Sequence, residues 1–171
     1  MFGFSKKKKK EEKPSPLSFF KVNHPLDIVY EQDINGIRTR DPKVQAELNQ
    51  LADLACMGAS LAKVQAITIR AQVKDPFDLF VLGYVFGCLD VYKTQLWGVQ
   101  DFNRSFFHCG FYSYFGSWNA ANDALINLSK AINSNEPEFM RAAKIGSSDT
   151  FNMIQEKKIP NGLIEYLLKE G

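Results

Sequence analysis

Apolar side chains recur every three or four residues over most of the chain, which is the spacing of one face of an α-helix. The first such stretch follows Asp41 and Pro42, an N-cap residue and a proline at the first helical position. We therefore expect a long helix to begin at Pro42. Its predicted apolar stripe consists of Val44, Leu48, Leu51, Ala55, Gly58 and Ala62.

A second stretch, from residue 76 to about 97, is apolar on nearly every side. A helix of that kind is normally buried, so we expect it to be the central helix of the fold. Asp75 and Pro76 repeat the start signal of the first helix. Gly83 and Gly87 lie one turn apart, and we expect them to allow a close approach to the small residues of the first helix.

The rest of the sequence contains the signals of several shorter helices. Ser117 and Ser148 are suitable N-cap residues, while Pro137 and Pro160 fit the first helical position. The predicted fold is therefore all-α, a compact bundle of five to seven helices. Besides the two helices above, the predicted helices cover residues 103–115, 118–133, 137–146 and 148–158, with a last helix opening at Pro160.

The first 16 residues differ in composition from the rest, and we predict that they form a disordered basic tail. They contain five consecutive lysines, which repel one another, and two prolines, which disfavour a helix. Residues 17–171 are predicted to be a single helical domain. Within it, the turn signal Asn35–Gly36 allows a small β-hairpin near 27–39.

The net charge of +2 is unevenly distributed along the chain. Residues 1–13 contain six Lys and two Glu, which leaves 15 basic and 17 acidic side chains in the body. A body of slightly negative charge argues against nucleic acid as a partner, because a dedicated nucleic-acid domain carries its basic residues on the folded part. The tail is either a solubilising segment whose charges stay in water or a weak contact for an anionic membrane surface. The residues expected to make that contact are Phe2, Phe4, Lys6, Lys7, Lys8, Lys9 and Lys10.

Three cysteines, Cys56, Cys88 and Cys109, lack the spacing of a metal site, and their odd number argues against a disulfide framework. We interpret them as reduced, buried side chains of a cytoplasmic protein, located at the inner face of the membrane if the tail binds there. No apolar run approaches the roughly 20 residues of a membrane helix. The sequence predicts no metal, no cofactor and no catalytic residue.

Aromatic residues are concentrated in one part of the chain. Fourteen of the 22 Phe, Tyr and Trp residues fall between Phe77 and Trp118. They form either the core of the fold or a surface for a partner, since interfaces favour these residue types. The candidate partner-binding residues, all in the segment 102–118, are Phe106, Phe107, Phe111, Tyr112, Tyr114, Phe115 and Trp118.

We therefore expect a non-enzymatic protein-interaction module that binds a protein partner or itself through the segment 102–118. Adaptors, secretion accessory proteins and immunity proteins of bacteria are of this kind, and the first ten residues look bacterial. The alternative is a small-ligand binder or an enzyme, whose pocket would surround Asp90, an acid on the helix expected to be buried. The candidate pocket consists of Asp90, Tyr92, Trp97, Arg104 and His108.

Overall fold

The computed structural model describes residues 41–69, 75–98 and 103–170. All regular elements in these ranges are helical, which confirms the predicted all-α bundle. The predicted tail and the predicted hairpin near 27–39 lie outside the described residues. The six α-helices are α1 Pro42–Thr68, α2 Leu79–Tyr92, α3 Arg104–Phe115, α4 Trp118–Ser134, α5 Pro137–Glu156 and α6 Gly162–Glu170, and α2 continues into a π-helical turn, Lys93–Trp97.

Local capping explains where most helices begin. Asp41 accepts a hydrogen bond from the backbone N–H of Lys43 at 2.9 Å, and Pro42 occupies the first helical position as predicted. Asn103 and Ser117 cap α3 and α4 through their side chains. Such caps satisfy N–H groups that have no partner inside the helix.

The start of α2 differs from the prediction. Asp75 accepts a hydrogen bond from Phe77 N at 2.8 Å, so Asp75 and Pro76 form a turn rather than the first residues of a helix. Asp78 is the N-cap instead, and it accepts from Val81 N at 2.9 Å. Two acids three residues apart can each cap a turn, and local sequence does not decide which one begins the helix.

The helices predicted at 137–146 and 148–158 are a single helix, α5. Gly146 does not end the first part, because it lies at a close crossing with α2. A Cβ atom at this position would overlap the carbonyl oxygen of Tyr84. The last helix begins at Gly162 rather than at Pro160.

Helix α2 is the centre of the bundle, as its sequence predicted. Ten of its 14 residues are buried, and it contacts α1 on one side and α5 on the other. The prediction that Gly83 and Gly87 face α1 was wrong. A Cβ atom at either would overlap backbone of α5, at Phe139 and Ala143 respectively.

Small residues also form the packing contact between α1 and α2, but this contact is looser than the one between α2 and α5. Ala55, Ala59 and Ala62 of α1 are fully buried. A Cβ atom added at Gly58 would lie 3.2 Å from Leu89 Cδ2 and 3.3 Å from Tyr92 Cβ, which are side-chain atoms.

Among the described residues, none of the helices combines the length and the apolar composition that crossing a bilayer requires.

Replacing Gly87 by alanine should destabilise the fold by about 2 kcal/mol or more, because the new methyl group meets the backbone of α5, which cannot move without separating the helices. The matched change Gly58→Ala should cost less than about 1 kcal/mol, since its contacts are looser and need only a small shift, and alanine favours a helix. Urea unfolding followed by circular dichroism measures both. Equal losses of stability would contradict the proposed difference between the two helix contacts.

Candidate functional site

The segment 102–118 is mostly core. Of the seven aromatic residues predicted to bind a partner, five are buried against neighbouring helices and are not accessible in the folded chain. The two that remain at the surface are Tyr112 and Trp118, which are 38% and 40% exposed. The five buried residues are Phe106, Phe107, Phe111, Tyr114 and Phe115.

Tyr112 and Trp118 form a stacked pair, which we call the aromatic pair. Their ring centroids are 3.9 Å apart and the rings are inclined by 13°. Tyr112 lies near the end of α3 and Trp118 is the first residue of α4. Gly116, with φ of +75°, allows the sharp turn that brings them together.

His108 packs against the aromatic pair on the side that faces the protein interior. It lies one turn before Tyr112 on α3, and its ring meets Trp118 edge-on with centroids 5.0 Å apart. Burial, and secondarily the positive charge of Arg104, lowers the pKa of His108 to about 4. The imidazole is therefore neutral at pH 7.

Four of the five residues of the predicted pocket lie on two helices, Asp90 and Tyr92 on α2 and Arg104 and His108 on α3. Asp90 forms an ion pair with Lys93, with 3.2 Å between Oδ1 and Nζ. Tyr92 points away from Asp90, since residues two apart on a helix differ by about 200°, and it lines a groove beside α1. Arg104 lies one turn before His108 on α3, and the side chain of Trp97 is outside the described part of the structure.

That groove, between α1 and α6, was not predicted from the sequence. Its volume is about 370 Å³. The sequence signal for this groove was the presence of apolar residues such as Met57 and Val64 beside the predicted stripe of α1. The sequence could not show which residues lie opposite them. The groove is lined by Met57, Ser60, Leu61, Val64, Gln65, Thr68, Tyr92, Met153, Ile159, Pro160 and Ile164.

Beneath the groove, buried and half-buried polar side chains attach α6 to the bundle. Gln65 Nε2 donates to the hydroxyl of Tyr84 at 2.7 Å, and this hydroxyl donates to Asp149 Oδ2 at 2.6 Å. The same carboxylate oxygen accepts from Gly162 N at 2.9 Å, and Gln65 Oε1 accepts from Leu163 N at 3.1 Å. We call this the Gln65–Tyr84–Asp149 network. It caps the first turn of α6 with side chains from α1 and α5.

Two titratable side chains near these features, Tyr84 and Cys88, are held in their neutral forms. Burial raises the pKa of Tyr84, with further contributions from Cys88 and Asp149, so its hydroxyl remains a donor. Burial also raises the pKa of the Cys88 thiol to about 12. A thiol in this state is a poor nucleophile.

The cysteines differ from the prediction at one position. Cys88 and Cys109 are buried, whereas Cys56 is exposed on the outer flank of α1. Within residues 41–69, 75–98 and 103–170, no three His, Cys, Asp or Glu side chains come together in a way that could hold a metal ion.

Comparisons with protein families, with curated proteins and with solved structures gave no match.

Two buried tyrosines provide a matched test of the network. Tyr84→Phe should destabilise the protein by about 1–3 kcal/mol, because it removes the acceptor of Gln65 and a donor to Asp149. Tyr114→Phe should leave stability unchanged or slightly increased, because the buried Tyr114 hydroxyl has no hydrogen-bond partner in the described part of the chain. Chemical denaturation compares the two variants. A loss at Tyr114 as large as that at Tyr84 would refute the assignment of the network.

His108 should make stability depend on pH. The unfolded chain binds a proton near pH 6.5, whereas the folded chain does so only near pH 4. Stability is therefore complete above pH 6.5 and declines as the pH falls towards 4 and below, by at most about 3.5 kcal/mol at 1.4 kcal/mol per pKa unit. The variant His108→Gln should lack this part of the decline in unfolding experiments at several pH values. Parallel pH profiles for the two proteins would show that His108 does not contribute.

Proposed function

We propose that this protein is a non-enzymatic interaction module that binds a protein partner through the aromatic pair. The observation that supports this most directly is the position of Tyr112 and Trp118. The other aromatic residues predicted for this surface are buried, while these two stack on each other at a sharp turn and remain more than a third exposed.

Tyr and Trp are the residue types that most often dominate the energy of an interface. A pair already held together by stacking loses little side-chain freedom when a partner covers it. His108 and the N-terminus of α4 fix the two rings from the protein side, so the pair presents a rigid apolar surface with polar edges.

The chemistry around the pair supports binding rather than catalysis. His108, which packs against Trp118, is buried and neutral at pH 7. Cys109, the adjacent thiol in the chain, is also buried. A nucleophile and a general base would need access to a substrate, and neither group reaches solvent beside the exposed rings.

The double variant Tyr112→Ala/Trp118→Ala should lose the partner while keeping its helical circular dichroism. Removing two interface aromatics should weaken binding by about tenfold or more. The measurement is quantitative mass spectrometry of proteins retained by tagged full-length wild type and variants in its native cells. Light scattering of the pure proteins tests whether the partner is a second copy.

Phe151→Ala is the matched control, because Phe151 is a similarly exposed aromatic residue on α5, 45% exposed. A partner that the control retains and the double variant loses would support the proposal. If every protein retained by wild type is retained equally by the folded double variant, the aromatic pair is not the binding surface.

A further inference from the structure

The groove between α1 and α6 has the properties of a second binding surface, separate from the aromatic pair. Lys63 of α1 donates to the carbonyl of Ser113 on α3, whereas Gln65 of α1 bonds the first turn of α6. The aromatic pair and the groove are therefore on opposite flanks of α1. A partner can therefore bind at the groove without contacting the aromatic pair, and the reverse is also true.

The occupant of the groove must be apolar, because the polar side chains along α1 are already engaged. Gln65 donates to Tyr84 and accepts from α6. Ser60 and Thr68 donate to backbone carbonyls one turn earlier in α1, at 2.7 and 2.8 Å. Burial raises the pKa of Tyr92, so that residue is uncharged too. A polar substrate would lose its hydration here without gaining equivalent hydrogen bonds.

The exposed apolar surface is wider than the groove itself. Met57 is 53% exposed, Val64 61% and Ile159 90%. A small molecule or a single acyl chain inside the groove would leave Ile159, which stands at the rim, almost fully in water. A helix, with a diameter of about 10–12 Å, would cover both the groove and its rim.

The dimensions also fit a helix. The residues of α1 that line the groove run from Met57 to Thr68, a length of about 16 Å, or three helical turns. Met57, Leu61, Val64 and Thr68 are spaced for packing against a partner that presents apolar side chains at positions i, i+3 or i+4, and i+7. Methionine, which occurs here at 57 and 153, adapts to different partner side chains.

The charged residues next to the groove indicate which charge one end of the partner should carry. The loop that precedes Ile159 carries Lys157 and Lys158, both exposed. Lys158 pairs with Glu156, while Lys157 takes part in no ion pair within the described part of the chain. This end of the groove is therefore positive and suits acidic side chains.

We propose that the groove between α1 and α6 binds an amphipathic helix of another protein, whose apolar face spans about three turns and whose end beside Lys157 is acidic. Such a helix buries the three exposed aliphatic side chains and places opposite charges together.

Photocrosslinking from the groove tests this directly. Benzoylphenylalanine replaces Val64 in the full-length chain, expressed in its native cells, and crosslinked peptides are identified by mass spectrometry. The control position is Met140, which is 50% exposed on α5 and lies about 20 Å from Met153, towards the N-terminus of that helix. We expect capture at Val64, and not at Met140, of one segment with apolar residues at i, i+3 or i+4, and i+7. Combining Lys157→Glu with Lys158→Glu should lower its yield about two- to tenfold.

A synthetic peptide of the captured segment completes the test. It should become helical on binding, as seen by circular dichroism, and should lose affinity about tenfold or more for Met57→Glu but not for Met140→Glu. Capture of a lipid, of a second copy, of residues 1–40 of the same chain or of a peptide that stays extended would overturn the proposal. No capture above the Met140 level would overturn it as well.

Discussion

The close backbone contact between α2 and α5 is the constraint on which the other features depend. Glycines at 83, 87 and 146 bring the two helix backbones together with no side chain between them. This contact sets the position of α5 relative to the centre of the bundle. It therefore places Asp149 beside Tyr84, and the Gln65–Tyr84–Asp149 network then fixes α6 against α1. The groove exists because α6 is held at that distance and in that direction.

How far the sequence predicts this structure depends on the range of the interaction that decides each feature. Asp41 and Ser117 were identified as caps because a cap acts within three residues. The burial of α2 followed from its apolar composition on all sides. Gly146 was misread as a helix end because the reason for a glycine there lies 62 residues away, at the carbonyl of Tyr84. Single-sequence patterns contain no record of such contacts.

The candidate sites show the same limit. Helical spacing cannot decide whether an aromatic residue faces the core or solvent when nearly every position of α3 is aromatic or small. Only the placement of α1, α2 and α4 around α3 leaves Tyr112 and Trp118 outside. The groove was even less accessible to prediction, because its two walls are about a hundred residues apart and are joined by a hydrogen bond between Gln65 and Leu163.

The network beneath the groove also has a consequence for how the chain folds. Helix α6 has only nine residues, which is shorter than the roughly 12–15 residues at which an isolated helix becomes even marginally stable in water. Its first turn depends on acceptors from α1 and α5, so α6 gains its full stability only after those helices have met. During synthesis, Gln65 and Asp149 leave the ribosome before the N–H groups of Leu163 and Gly162 that they will bond. Until α6 arrives, the nascent bundle exposes polar groups and an apolar surface that chaperones and proteases can recognise.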